Sequence, residues 1–251
     1  MQVDEITEGG AALVEKRLST RERAEPEAVA RLRSESSLLE RLSRIATVTP
    51  RLVARGEDER GPWFRAEKIA FPTLAARLAC APRGLEPWWI ERAARAAFEA
   101  LAALHESADA DGPLGVVHAD LSPANVAVDD AGARVVFFDL ELASWREGPP
   151  RDGAFRGTAR YVAPEIARGE APRPASDLFG LAASLLHAMT GAPPRPGASL
   201  PAVLAAAAED PLAVPAELAA RGAAHAAVLS CLAFDPRARP RSAREVLAAM
   251  C

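Results

Sequence analysis

Between residues 27 and 45 apolar side chains recur at helical spacing: Val29, Leu32, Leu39 and Leu42 share one stripe, which predicts an amphipathic helix over Glu27–Ile45. Glu35 falls on that same stripe, between Leu32 and Leu39. An unpaired charge on a buried face is costly, so Glu35 calls for a cationic partner. The neighbouring acid Glu40 faces away from the stripe and makes no such demand. Ahead of this helix, Val3–Thr7 and Ala12–Leu18 read as two strands around a Glu8-Gly9-Gly10 turn, with Lys16 in the second. Further on, Thr73–Cys80, Trp88–His105, Leu178–Thr190, 200–209 and 215–232 read as helices. Val126–Val128 and Arg134–Phe138 read as short strands around an Asp129-Asp130-Ala131-Gly132 turn.

Composition narrows the class. The 251 residues are 49% hydrophobic and 25% charged, which is globular and long enough for a sizeable core. A net charge of −4 gives no electrostatic reason to expect nucleic acid or an anionic membrane as partner. No apolar run approaches the ~20 residues of a membrane span, and Met1-Gln2-Val3-Asp4-Glu5 is no signal peptide, so a cytoplasmic placement is expected. Cys80, Cys231 and Cys251 are scattered without metal spacing and read as free thiols. Lys16 and Lys68 are the only lysines among many arginines.

The chemistry concentrates between His118 and Asp139. This stretch holds a carboxylate at Asp120, the chain's only asparagine at Asn125, the short hairpin, and a second carboxylate at Asp139. A hairpin returns its second strand to the start of its first, which makes Asn125 and Asp139 neighbours. An amide oxygen beside a carboxylate suits Mg²⁺ on a phosphate rather than zinc. Asp120, displaced along the loop, is left to accept a proton.

These residues resemble the catalytic loop and metal-binding motif of the eukaryotic-like protein kinases, the bacterial Hanks-type serine/threonine kinases among them. Two further segments carry the resemblance. Gly157-Thr158-Ala159-Arg160-Tyr161-Val162-Ala163-Pro164-Glu165 is similar to the end of a protein-kinase activation segment, and it holds the only tyrosine. Cys231–Pro240 is similar to the family's closing motif, whose arginine, here Arg239, pairs with the glutamate, here Glu165. The resemblance implies an α+β, bilobal protein-kinase-like fold: a small β-rich N-lobe over residues 1–66 and a larger, mainly helical C-lobe over 67–251. ATP and Mg²⁺ are the implied cofactors. Asp120 would be the catalytic base, Asn125 and Asp139 the metal ligands, Lys16 the phosphate-holding lysine and Glu35 its orienting acid. Pro62–Ala70 resembles the last N-lobe strand running into the hinge, with Ala66 as gatekeeper and adenine against the backbone of Glu67 and Ile69. Ala127 joins these as a nucleotide-binding residue. Asp177 matches the aspartate that holds the catalytic-loop backbone, and is equally readable as a helix N-cap.

Four positions depart from the family pattern. No glycine-rich phosphate loop is found, because Gly9-Gly10 lies too close to Lys16 and reads as the next hairpin turn. Ser122 stands for the catalytic-loop lysine, Asp139-Leu140-Glu141 for Asp-Phe-Gly, and Ala119 for the arginine beside the base. The expected function is phosphoryl transfer from ATP to serine or threonine of a protein by an atypical, minimal kinase. Two alternatives stay open: a nucleotide-binding or inactive pseudokinase serving as a regulatory interaction module, and a small-molecule kinase of the aminoglycoside or choline kinase type. The partner is then a protein substrate or a regulatory protein, with no nucleic acid and no membrane; the sequence leaves the oligomeric state open. Ala119 removes the cation that an activation-loop phosphate would neutralise, so an enzyme active as synthesised is expected. The rival is a phosphate on Ser144 received by Arg146 or Arg151.

Overall fold

Residues 1–150 and 155–251 are described by a computed structural model; Arg151 lies outside them. The N-terminal part is a four-stranded antiparallel sheet in the order β1-β2-β4-β3, with one long helix packed on it. β1 (Gln2–Glu8) and β2 (Ala11–Arg17) pair from Gln2↔Arg17 to Glu8↔Ala11. Their connection is two residues, Gly9 at φ 57° and Gly10 at φ 81°. A tight hairpin turn that matches strand twist needs positive φ at both central positions, which glycine adopts without strain. The Gly9–Gly10 pair therefore closes the hairpin that delivers Lys16, which sits between Val3 of β1 and Phe64 of β4 (Gly61–Glu67).

β3 (Leu52–Asp58) escapes the sequence pattern, since only Leu52 and Val53 are strongly apolar. It exists because it pairs with β4, and Gly56 makes room for the Trp63 indole, where a Cβ would stand 2.8 Å from the ring. Helix α1 (Pro26–Leu42) buries Leu32, Glu35, Leu38, Leu39 and Leu42. It stops short of the predicted Ile45. The Ser43 hydroxyl donates to the Leu39 carbonyl at 2.7 Å and accepts from the Leu52 N–H at 2.8 Å, so the helix end is turned to start β3.

The remainder is mostly helical. α2 (Leu74–Ala79) is capped by Thr73, whose hydroxyl accepts from the Ala76 N–H, and α3 (Pro87–His105) buries an alanine-rich face. The short pairs β5 (Ala108–Asp109) with β6 (Gly112–Pro113) and β7 (Val126–Val128) with β8 (Val135–Phe137) follow. α4 (Pro164–Ala167) leads to α5 (Pro174–Thr190), which is buried nearly all round and forms the centre of this part. α5 begins four residues before the predicted Leu178, because Pro174 occupies its first turn and the Arg173 N–H donates to Ser176 Oγ. α6 (Leu200–Glu209) stands where the spacing places it. The predicted 215–232 helix is instead α7 (Ala216–Ala219) and α8 (Ala223–Ser230), parted at Gly222 with φ 144°. α9 (Ala243–Ala249) was not legible as a separate element; Ser242 caps it by accepting from the Glu245 N–H. Among the described residues no helix is long and apolar enough to cross a membrane.

Phe98, Phe137 and Phe179 are the largest fully buried side chains of a continuous core that runs from Leu18 to Met250. The Phe137 N–H donates to the Val48 carbonyl at 2.8 Å, which stitches the strand before Asp139 to the segment following α1. Glu165 and Arg239, 74 positions apart, form a two-pronged pair at 2.8 and 2.9 Å, with side chains 2% and 0% exposed. Ser176 donates to Glu165 at 2.7 Å, Arg239 also donates to the Ala233 and Ala175 carbonyls, and its guanidinium lies 4.8 Å from the Phe179 ring centre. Burial alone would raise the Glu165 carboxyl, but the Arg239 bonds and charge hold it below its ordinary value.

Removing one partner of such a pair leaves the other charge buried, at a cost of about 3–5 kcal/mol. Arg239→Ala is therefore expected to lower Tm by on the order of 10 °C. Arg237→Ala, which removes a side chain that is 90% exposed and paired with Asp235, should leave Tm nearly unchanged. Equal, small shifts in differential scanning calorimetry would refute a structural role for the pair.

Candidate active site

The site begins with a lysine that the sheet buries. Lys16 Nζ lies 2.8 Å from Glu35 Oε2 and 2.6 Å from Asp139 Oδ1, so one ammonium joins β2, α1 and the end of the β7–β8 hairpin. Glu35 is 3% exposed, whereas Glu40 points outward to Arg44 and Arg55. Burial pushes the Glu35 carboxyl up to about 7, an effect that the Lys16 charge opposes. Burial would lower Lys16, but the Glu35 and Asp139 charges outweigh it and hold the ammonium above the ordinary lysine value. Lys16 is thus a firmly protonated cation, whereas at Glu35 burial outweighs the opposing Lys16 charge. Asp139 is held below the usual carboxylate range, the Lys16 charge overcoming burial.

The hairpin sets the other groups. Val126↔Phe137 pairing is extended by the Phe138 N–H donating to the Asn125 carbonyl at 2.8 Å, which places Asp139 beside Asn125. Asp139 itself takes φ 58°, a left-handed turn that ends the strand. Asn125 Nδ2 donates to the Asp120 carbonyl at 2.9 Å and to Asp120 Oδ2 at 3.1 Å. Asp120 Oδ1 accepts from the Thr158 N–H at 3.0 Å, and Thr158 Oγ1 lies 3.4 Å from Oδ2. A side chain at Gly157, where φ is 113°, would press its Cβ to 3.3 Å from the Asp120 carboxyl. Burial pushes Asp120 above its ordinary value, against the lowering effect of the Thr158 N–H.

The loop bearing Asp120 hangs on α5. Asp177 accepts from the backbone N–H of His118 at 2.7 Å and of Ala119 at 2.8 Å. It lies inside α5, whose N-cap is Arg173, so the N-cap reading of Asp177 is corrected. Ala119 has φ 67°, a conformation that costs an alanine energy and persists because these bonds fix it. His118 Nε2 contacts the Phe138 carbonyl at 2.8 Å, tying the loop to the strand that leads to Asp139. Sequence reasoning missed His105, which meets Asp177 at 2.9 Å, and Ser184, which donates to the Leu121 carbonyl at 2.8 Å. Their spacing gives no signal; only the packing of α3 and α5 on the loop reveals them.

The expected nucleotide-contacting positions lie at the end of β4, just beyond it, and in β7. Ala66 and Ala127 are buried, Ala127 bridging Thr73, while Ile69 is half-buried just beyond β4. Glu67 ends β4, and its N–H is engaged by the Arg51 carbonyl at 2.9 Å. The donors fit a hard divalent cation. Asn125 turns its NH2 to Asp120, leaving its amide oxygen, and the Asp139 side chain is 44% exposed with only Oδ1 on Lys16. Ser122 offers nothing comparable to a lysine, since it is 1% exposed.

The family model described as the protein kinase domain matches residues 5–249. The DNA damage-responsive serine/threonine-protein kinase RqkA of Deinococcus radiodurans is 39% identical over 106 residues, 41% of this chain and 16% of its own length. The serine/threonine-protein kinase PknB of Mycobacterium tuberculosis is 34% identical over 139 residues, 53% of this chain and 22% of its own. The tyrosine-protein kinase MasK of Myxococcus xanthus is 35% identical over 134 residues, 52% of this chain and 21% of its own. The chain thus spans less than a quarter of the length of these curated relatives.

Were Asp120 the base, it would have to be ionised to take a proton, so its raised pKa would move the acid-side loss of phosphate transfer to higher pH. The acid limb of kcat/KM should therefore lie above the ~4 of a free aspartate. Asp120→Asn should lower transfer by about 10²- to 10⁴-fold while keeping ATP binding. Asp139→Asn should weaken Mg²⁺-dependent ATP binding as well. Wild-type transfer rates in both variants would show that the site is misassigned.

Proposed function

The chain belongs to the protein kinase domain family, and from that premise we propose that it transfers the γ-phosphoryl group of ATP to serine or threonine hydroxyls of a protein substrate. The observation that carries this reading is the assembled Lys16–Glu35 pair with Asp139 on the same ammonium. In such a site the protein contributes position and charge more than covalent chemistry. Lys16 holds the α- and β-phosphates, and Glu35 keeps its ammonium in place. Asn125 and Asp139 would hold Mg²⁺, whose chemistry is to neutralise charge on the β- and γ-phosphates. Asp120, steadied by Asn125 and Thr158, accepts the proton of the attacking hydroxyl. Glu67, Ile69 and Ala127 border the adenine, with residues 1–66 and 67–251 as the two lobes.

A protein acceptor is favoured over a small alcohol by the buried Glu165–Arg239 pair, which fixes the Gly157–Glu165 segment beside Asp120. A cytosolic placement suits the three free thiols. Two observations favour a second reading, a nucleotide-binding regulatory module: Gly9–Gly10 closes the lysine hairpin instead of covering phosphate, and Ser122 is buried and projects no cation. The decisive assay is γ-phosphate transfer to the protein itself, to generic protein and to small alcohols, followed by phosphoamino-acid analysis. Phosphoserine or phosphothreonine is the expected product. Mg·ATP binding without transfer would establish the module instead, and phosphotyrosine would overturn the acceptor class.

The same reading gives an enzyme active as synthesised. Ala119 presents a methyl group where a phosphate-awaiting cation would stand. Arg146 is already engaged by Asp109 and the Gly112 and Pro113 carbonyls, and Ser144 is paired through its backbone to Val117. Phosphatase-treated protein and Ser144→Ala are expected to keep full transfer activity; a collapse in either would sink this proposal.

A further inference from the structure

Lys16 faces not two carboxylates but three. Glu141 Oε2 lies 4.0 Å from Lys16 Nζ, beyond Glu35 and Asp139. Glu141 belongs to the turn Leu140–Leu142 that starts directly after Asp139, only two residues along the chain from it. It cannot be moved far without moving Asp139. A free carboxylate at that distance from a nearly dry ammonium would compete with Glu35 for it. The structure supplies a counter-cation. Arg31 Nε donates to Glu141 Oε1 at 2.9 Å, and the two side chains are only 15% and 20% exposed. Arg31 sits one helical turn before Glu35 on α1, so the helix that orients Lys16 also restrains its competitor.

We propose that Arg31 is a positioning residue that holds Glu141 off Lys16, leaving the ammonium to Glu35 and Asp139. The effect is charge pairing through Glu141, not contact with nucleotide. This rests on the reading of Lys16 as the phosphate-holding lysine. The chain's two lysines provide a readout free of that reading: protein labelled at lysine 13Cε gives one signal each for Lys16 and Lys68. Lys68 pairs with exposed Glu5 rather than with the Lys16 carboxylates and serves as the internal control in the nucleotide-free comparison.

The experiment compares wild type, Arg31→Lys, Arg31→Ala and Arg31→Ala/Glu141→Gln, all without nucleotide, then with Mg·ATP. Arg31→Ala is expected to shift the Lys16 signal and to weaken Mg·ATP binding about tenfold. Arg31→Lys should stay near wild type, because it keeps a cation at the helix face. Adding Glu141→Gln to Arg31→Ala should return the Lys16 signal toward its wild-type position and recover most of the lost affinity. An arginine that merely packed would give a loss that Glu141→Gln does not repair, and that result overturns the proposal. So does an unmoved Lys16 signal in Arg31→Ala. If wild type neither binds nor transfers ATP, the kinase reading falls, while the lysine signals still decide the role of Arg31.

Discussion

A single ammonium inside a sheet is the constraint on which this molecule turns. Lys16 would be costly to bury alone, and its position between β1 and β4 gives it little solvent. It is tolerable only if acidic groups from elsewhere come to it. Glu35 arrives on α1 and Asp139 on the β7–β8 hairpin, so satisfying one charge fixes the helix against the sheet and the hairpin against both. The residues that neutralise the lysine are thereby the ones to which the proposed function assigns the phosphates and their metal.

A second anchor works by hydrogen bonds rather than charge. Asp177 projects from the buried helix α5 to catch two consecutive N–H groups of the loop before Asp120. Catching both requires Ala119 to adopt a left-handed conformation, and the cost of that conformation is met by the bonds that enforce it. His105 closes the arrangement from α3. Asp120 is then aimed by Thr158 and Asn125, beside Gly157, whose φ of 113° any other side chain would adopt only under strain. The Glu165–Arg239 pair secures the far end of that segment. Together these anchors explain why a chain with short strands and a broken series of helices can hold a site of defined geometry.

The departures from the family pattern gain physical meaning in this setting. Glu141, where a glycine would give freedom, instead adds a charge that the local structure has to balance. Ser122 is small enough to be enclosed, so no cation projects from that point of the loop. Gly9 and Gly10 close the β1–β2 hairpin, where positive φ at both positions gives the turn that matches strand twist.

Local chemistry was enough to place much of this in advance. The Gly9–Gly10 turn, the stripe of α1 with Glu35 upon it, and the hairpin between Asn125 and Asp139 all follow from spacing and turn residues, which are local properties of the chain. The protein-kinase resemblance was likewise carried by short motifs, and the family match over residues 5–249 agrees with it. Elements whose existence depends on a partner were not legible. β3 has little apolar pattern and forms because β4 offers an edge and Gly56 admits Trp63. α1 ends at Leu42 because Ser43 is recruited to β3, and the 215–232 segment divides at Gly222. The links from His105 to Asp177 and from Arg31 to Glu141 join residues far apart in sequence, with no local signal to mark them. Sequence determined the Gly9–Gly10 turn, the α1 stripe that carries Glu35 and the hairpin between Asn125 and Asp139, because turn and periodicity rules act over a few residues. Tertiary structure alone decided how the site's charges are shared, because that depends on distances between elements that no local rule contains.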